Sequence, residues 1–309
     1  MSRRDSAVPD TLAAEPALLS ARNRRLPRPA GLSWVLLARL LRSPMGLFGL
    51  GVVVSLALIA AGAPSIAPFD PAAQHPEAEL HPPGSVFLFG SDEFGRDILS
   101  RVVFGGRISL LVGGVAVSLG AAAGVPLGMV AGFYGGRADS VIMRCSDALL
   151  ALPGILLALA VLAVLGAGTM QTALALAIVS VPEFARLMRA AVLVEREREY
   201  VLAAISLGSD NLRLMIRHLL PNSLSPILVQ LSLAMSFAVL AEAALSFLGM
   251  GTGPPIPSWG GMLQESRQYL RQAPWFGVFP GLALAILLLG LNYLSDALRE
   301  ALDPRVQRT

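Results

Sequence analysis

The amino-acid sequence predicts an all-α integral membrane protein with about six transmembrane helices. Hydrophobic residues make up 54% of the 309-residue chain and charged residues 15%, whereas soluble domains are roughly 25% charged. The charge is missing from several apolar runs that approach the roughly 20 residues a helix needs to cross a bilayer. The arginines cluster in alternate loops between these runs, which is the pattern expected when cytoplasmic loops retain positive charge.

Each predicted span is an apolar run bounded by proline, glycine or charged residues. Pro64 and Pro68 end the first run, and the polar stretch 64–100 is predicted to be an external loop. Residues 1–33 are predicted to be a disordered cytoplasmic tail, followed by a transmembrane domain over 34–305 and a short tail over 306–309. The predicted spans are about 46–63, 108–133, 148–166, 170–185, 224–248 and 277–294.

Arginine asymmetry predicts the orientation of the chain. With six spans, nineteen of the 24 arginines fall on the side that holds the N-terminus, and five fall on the opposite side. The positive-inside rule therefore predicts that both termini are cytoplasmic. The chain is thus expected to be a multi-pass protein of the cell membrane, with the lipid bilayer as its surroundings.

Composition also excludes several functions. The chain has no lysine, so it cannot supply the lysine of a P-loop ATPase. A single cysteine, Cys145, rules out an internal disulfide and a multi-cysteine metal site. His75 and His81 lack fixed carboxylate spacing and are interpreted as solvated loop residues, so no metal is predicted. No catalytic motif is present, and the arginines lie beside apolar runs without interleaved aromatics, so no nucleic-acid partner is predicted.

The loop between the fourth and fifth spans is the most specific segment of the chain. It begins EREREYVLAAISLGSDNLRLMIRHLLP, and its residues 195–223 are called the helical loop below. Good helix formers predict a first helix over 200–207 that ends at Gly208, a typical residue after a helix. Ser209 or Asp210 is predicted to cap a second helix over 212–220, which Pro221 terminates. The alternative is an amphipathic segment lying on the membrane surface.

The helical loop resembles the EAA loop of ABC importer permeases. The resemblance is carried by Ala203-Ala204, by Gly208 after three intervening residues, and by Leu220-Pro221. It implies that a helix with small alanines, together with Tyr200 and Leu202, seats in a cleft of a separate ATPase subunit. The chain departs from the family pattern at two positions, since Leu202 stands where the family has Glu and His218 where it has Ile.

Three further segments resemble one branch of these permeases, the dipeptide/oligopeptide/nickel branch, and its C-type subunit. They are FGSDEFGRDILSRVVFGGRISL from 89, EAALSFLGMGTGPPIPSWGG from 242 and NYLSDALREALDPR from 292. The resemblance implies alternating access driven by two ABC ATPase subunits, a second permease as heterodimer partner, and an extracytoplasmic substrate-binding protein. It implies ATP and Mg on the ATPase subunits, and no cofactor or catalytic activity on this chain.

Several polar residues near the spans leave alternatives open. Glu242 lies inside the fifth span, where a carboxylate is costly, so it either lines a pathway or gate or makes a buried helix–helix hydrogen bond. The charges from Asp92 to Arg101 either contact a partner protein or form a self-satisfied network, with Asp97 and Arg101 as an i,i+4 helix pair. Gln230 is a polar residue of the fifth predicted span, and no contact is assigned to it.

Two other classes of protein compete with the permease. A secondary transporter working as a six-helix protomer would need intramembrane carboxylates or broken helices around a coupling ion. Glu242 is the single carboxylate offered for that role, which is thin support. A membrane enzyme or scaffold would need an inward-facing nucleophile or metal cluster, which the sequence does not show.

Overall fold

A computed structural model describes residues 40–41 and 43–302 of the chain. The predicted tails at 1–33 and 306–309 lie outside the described residues. The main helices are numbered in chain order, and two single helical turns at Ala63–Ile66 and Pro76–Ala78 are left unnumbered. The helices are α1 Pro44–Ala61, α2 Ile98–Tyr134, α3 Gly136–Leu150, α4 Gly154–Leu165, α5 Thr169–Glu195, α6 Glu199–Ser206, α7 Asn211–Phe247, α8 Trp259–Ser266 and α9 Pro274–Leu302.

Four of these helices, α1, α2, α7 and α9, are long and apolar enough to cross a membrane. Helices α3 and α4 together would add a fifth span, although they are bent by 92° at the break between them. Helix α5 is long but carries Glu183, Arg186 and Arg189, and it does not reach the same apolar standard. The described residues thus provide four spans or five, and the count of six stays a prediction.

The predicted third span, a single helix over 148–166, is wrong in its first part. Leu150 ends α3 and Gly154 begins α4, with Pro153 in an extended conformation between them. Proline has no backbone N–H to donate and disfavours a helical residue before it. The segment Ala151–Leu152–Pro153 therefore forms a corner, and the apolar part of this region is the twelve-residue α4.

Helix α2 begins earlier than predicted, at Ile98 rather than near residue 108. The Asp97 carboxylate caps it by accepting hydrogen bonds from the Ser100 backbone N–H at 2.8 Å and the Ser100 hydroxyl at 2.6 Å. Capping of this kind satisfies an N–H that the first helical turn leaves without a partner. The external loop consequently ends at Asp97, and the first turns of α2 extend beyond the apolar run that the sequence marks.

Helices α2 and α5 pack side by side along a stripe of glycines spaced four residues apart. A Cβ atom added at Gly124 would lie 2.5 Å from the Val181 carbonyl oxygen and 2.6 Å from the Phe184 Cβ. Only glycine leaves room for such a contact. The two helix backbones therefore approach closely, as small residues allow between membrane helices. The stripe consists of Gly120, Gly124, Gly128 and Gly132.

Candidate functional site

The turn in the helical loop is built as the sequence predicts. Helix α6 ends at Ser206, and Gly208 follows with a φ of +78°, a left-handed conformation that favours glycine. The backbone N–H of Ser209 returns to the Ala204 carbonyl at 3.1 Å. Asp210 then caps α7, since its carboxylate accepts from the Arg213 backbone N–H at 2.6 Å.

The predicted end of the second helix before Pro221 is wrong. Residues Leu214–Leu219 form a π-helical turn, and the Leu220 N–H reaches back to the Met215 carbonyl. The helix then runs through Pro221 to Phe247 without interruption. The wider turn relieves the clash that a proline ring makes with the preceding turn of an α-helix. The second half of the helical loop, from Asn211 onward, and the fifth predicted span are therefore one helix.

The two alanines of the helical loop lie on different faces of α6. Ala204 is 9% exposed and packs with the fully buried Val201 in the hydrophobic core. Leu214 and Leu219 of the π-helical turn belong to the same core. Ala203 is exposed. The expectation that both alanines face outward therefore holds for Ala203 only, and Ala204 attaches α6 to α7.

The outer side of the helical loop is apolar. Scattered exposed apolar residues are ordinary, but a contiguous patch marks an interaction surface. Leu202 is 52% exposed and Leu207 is 87% exposed. The outer apolar face, as it is called below, consists of Leu202, Ala203, Ile205, Leu207, Leu212 and Ile216.

Tyr200 stands at the first turn of α6 and anchors it to the end of α5. Its hydroxyl donates to the Glu195 carboxylate at 2.8 Å. Burial, followed by this bond, raises the pKa of Tyr200 to about 12. The hydroxyl therefore remains a protonated donor at neutral pH.

Glu242 is 1% exposed and lies between α7 and α2. Its two carboxylate oxygens accept hydrogen bonds at 2.8 Å, one from Ser109 of α2 and one from Ser246 of α7. The carboxylate thus faces protein and not lipid, and the helix–helix hydrogen bond that the sequence proposes is present. The role of Glu242 in a pathway or gate stays a prediction.

The charged segment before α2 forms a network with α8. Arg96 pairs with Asp92 at 2.6 Å, and Arg101 pairs with Glu265 at 2.8 Å. Arg101 also lies 3.4 Å from Asp92. The predicted helical pair of Asp97 with Arg101 is wrong, because Asp97 is the cap and precedes the helix. The geometry favours a network of internal ion pairs, in which Nε and Nη1 of the buried Arg101 have no hydrogen-bond partner among the described residues, and it adds Glu265, which the sequence did not single out.

Three carboxylates of this network lie close enough together to be considered for a metal ion. They are Asp92, Glu93 and Glu265. The guanidinium groups of Arg96 and Arg101 already pair with the same carboxylates, and burial raises the pKa of Glu93. The cations that balance this cluster are arginines, so the geometry adds no metal site to the sequence prediction.

One polar pair is missing from the sequence-predicted site residues. The Gln230 side-chain amide of α7 donates to the Glu183 carboxylate of α5 at 3.1 Å, and Glu183 is exposed. The signal available in the sequence was a single carboxylate near the end of the fourth apolar run. The count of charges used for the orientation includes arginines only, so it does not register Glu183.

Two family models match the chain. Residues 124–308 match the binding-protein-dependent transport system inner membrane component. Residues 33–83 match the N-terminal TM domain of oligopeptide transport permease C. The first match covers α3 to α9, the helical loop among them.

Curated relatives and one solved structure agree with these matches. The chain is 44% identical to the dipeptide transport system permease protein DppC of Alkalihalophilus pseudofirmus over 87% of this chain and 88% of that protein. It is 43% identical to the glutathione transport system permease protein GsiD of Escherichia coli O6:K15:H31 over 87% and 89%. A chain of the MetNI methionine ABC transporter in an inward-facing conformation shares the fold, with a TM-score of 0.56 and 17% identity over 67% of this chain and 98% of that chain. The chain therefore belongs to the inner membrane components of binding-protein-dependent transport systems, among the C-type permeases of the dipeptide and oligopeptide branch.

Proposed function

We propose that the chain is one transmembrane subunit of an ATP-driven importer that moves peptides or similar small solutes into the cell by alternating access. The outer apolar face of the helical loop is the observation that carries this proposal. It is an exposed apolar surface on α6 and on the first turns of α7, the helix that continues into a membrane-spanning segment. An ATPase subunit that binds this face would act directly on α7.

The partners follow from the family and from the composition of the chain. A second permease completes the membrane domain, two ABC ATPase subunits bind the helical loops, and an extracytoplasmic binding protein delivers the solute. ATP and Mg bind to the ATPase subunits. The absence of lysine in the chain fits a subunit that performs no hydrolysis itself.

The secondary-transporter alternative gains no support from Glu242. A coupling-ion site needs oxygen ligands that remain open to the ion. Both oxygens of Glu242 instead accept serine hydroxyls in a buried contact. The importer also explains the exposed apolar face of the helical loop, which a self-contained transporter would leave in water.

The orientation is a first prediction. We expect reporter fusions after Pro71 and after Ser258 to read as external, and a fusion after Gly208 to read as cytoplasmic, because of the arginine distribution. Paired alkaline phosphatase and fluorescent-protein fusions measure both outcomes. A cytoplasmic signal at Pro71 would contradict the orientation and would place the helical loop on the wrong side for an ATPase.

The docking surface is a second prediction. Ala203→Trp should lower co-purification of the ATPase subunits about tenfold, because a large side chain overpacks a close interface by about 1–3 kcal/mol. Leu202→Ala removes only apolar contact and should have a milder effect. The measurement is pull-down of the ATPase subunits together with solute uptake into proteoliposomes.

The matched control is Ala204→Trp, one residue further on α6. Ala204 is buried against α7, so this variant should lower the stability of the loop itself as well as ATPase binding. Ala203→Trp should leave the thermal unfolding of the isolated membrane subunit unchanged. Full ATPase binding and normal uptake by Ala203→Trp would refute the docking assignment and leave a surface-lying connection.

A further inference from the structure

Glu183 and Gln230 form a polar pair midway along two long helices. Fourteen residues separate Glu183 from the start of α5 and twelve from its end, or roughly 20 Å in each direction at 1.5 Å per residue. Gln230 lies nineteen residues from the start of α7 and seventeen from its end. The pair therefore lies far from both ends of the helices that carry it, although Glu183 is only two residues from the predicted cytoplasmic end of the fourth span, 170–185.

The pair is exposed on the surface of the chain and not enclosed within it. Glu183 is exposed, and Gln230 is half-buried. The Gln230 amide occupies Oε2 of the carboxylate, while nearby Arg186 is paired with Asp147 at 2.7 Å. Among the described residues no cation forms an ion pair with Glu183. An exposed carboxylate within a predicted span is more stable against water or protein than against hydrocarbon, so we expect the surface around it to face one of those two.

Two open grooves meet at this pair. The first has a volume of about 550 Å³, and the second, of about 540 Å³, extends along α7 toward Asn222 and Arg299. The grooves share Leu187 and Gln230 as lining residues, so they are continuous past the polar pair. The first groove is lined by Leu150, Glu183, Arg186, Leu187, Ala190 and Gln230.

We propose that this surface lines the solute path and that the Glu183 carboxylate, positioned by Gln230, binds the ammonium group of the passing solute. A fixed negative charge without an ion-pair partner favours a cationic group, and the neighbouring amide keeps the carboxylate in place. The solute class is a small zwitterion with a free amino terminus. The inference rests on the proposed function, because it concerns the solute that the importer moves.

Thiol labelling tests whether the surface is wet. In a Cys145→Ser background of the assembled transporter in nanodiscs, we expect Glu183→Cys and Gln230→Cys to react rapidly with a membrane-impermeant methanethiosulfonate. The control is Leu289→Cys, since Leu289 is 54% exposed and midway along α9, and it should react slowly. Labelling of Glu183→Cys as slow as that of Leu289→Cys would overturn the proposal, whether lipid or the second permease covers the surface.

Ligand protection tests the recognised group. Dialanine should slow the labelling of Leu187→Cys, a lining residue of both grooves, whereas N-acetyl-dialanine should not, because its amino terminus carries no charge. Adding Glu183→Gln should abolish the protection. Equal protection by both compounds, or protection that survives Glu183→Gln, would overturn ammonium recognition.

Transport separates the role of the charge from a structural role. At saturating binding protein, Glu183→Gln should lower dialanine uptake about tenfold, as expected for losing a hydrogen bond between charged groups, while Glu183→Asp should retain most of it. ATPase co-purification should be unchanged in both variants. Normal dialanine uptake by Glu183→Gln would refute the inference alone. A wild-type transporter that moves no dialanine, yet shows the protection pattern, would instead refute the proposed function.

Discussion

Gly124→Val is expected to prevent the membrane domain from folding stably. Its Cβ would lie 2.5 Å from a backbone oxygen and 2.6 Å from the Phe184 Cβ of α5, and neither atom is the end of a flexible side chain. Helices α2 and α5 would have to separate, at a cost of about 3 kcal/mol or more. Fluorescence-detected size exclusion and thermal unfolding of the solubilised protein measure the loss.

Gly114→Val in the same helix is the matched control. A Cβ at Gly114 meets no heavy atom within 4 Å, so the helix propensity change is the same while the packing clash is absent. Its stability should stay within about 1 kcal/mol of wild type. Equal damage by the two valines would mean that the glycine stripe is not the interface that holds α2 to α5.

Gly208→Val is expected to leave the membrane helices folded and to weaken ATPase binding. The φ of +78° at Gly208 strains a β-branched residue by about 1–3 kcal/mol. No heavy atom lies within 4 Å of a Cβ at this position, so the whole effect comes from the backbone. The chain would relax by moving α6 relative to α7 and thereby distort the outer apolar face. Co-purification of the ATPase subunits should fall about tenfold.

Two further substitutions isolate the backbone effect. Gly208→Asn should be milder, because asparagine tolerates the left-handed conformation better than other residues. Gly253→Val, in an exposed loop with open space around it and no positive φ, should bind the ATPase normally. Wild-type ATPase binding by Gly208→Val would show that the turn does not set the position of α6.

The sequence predicted the elements in which one physical signal dominates. Apolar runs located α1, α2, α7 and α9, and the Gly208 turn and Asp210 cap were identified because both have strong local chemistry. The error at Pro221 arose because a helix breaker was interpreted locally. The π-helical turn that accommodates it depends on how α6 packs against α7, which periodicity does not reveal.

The candidate site was predicted in its position and only partly in its geometry. The spacing of Ala203 and Ala204 identified the loop, but neighbouring residues on a helix point in directions about 100° apart. Only tertiary packing shows that Ala204 faces inward. Glu183 and Gln230 are 47 residues apart in the chain, and their pairing depends on how α5 and α7 lie together.

Helix α7 runs without a break from the helical loop to Phe247, so a tilt at one end displaces the other end. Its 37 residues span about 55 Å at 1.5 Å per residue. Helix α6 packs against the N-terminal end of α7 through Val201 and Ala204. A tilt of about 10° at the loop would carry the far end through about 10 Å, on the same helical dimensions. Glu242 lies 31 residues along this helix, so its hydrogen bond to Ser109 ties α7 to α2 in the half of α7 that is farthest from the helical loop.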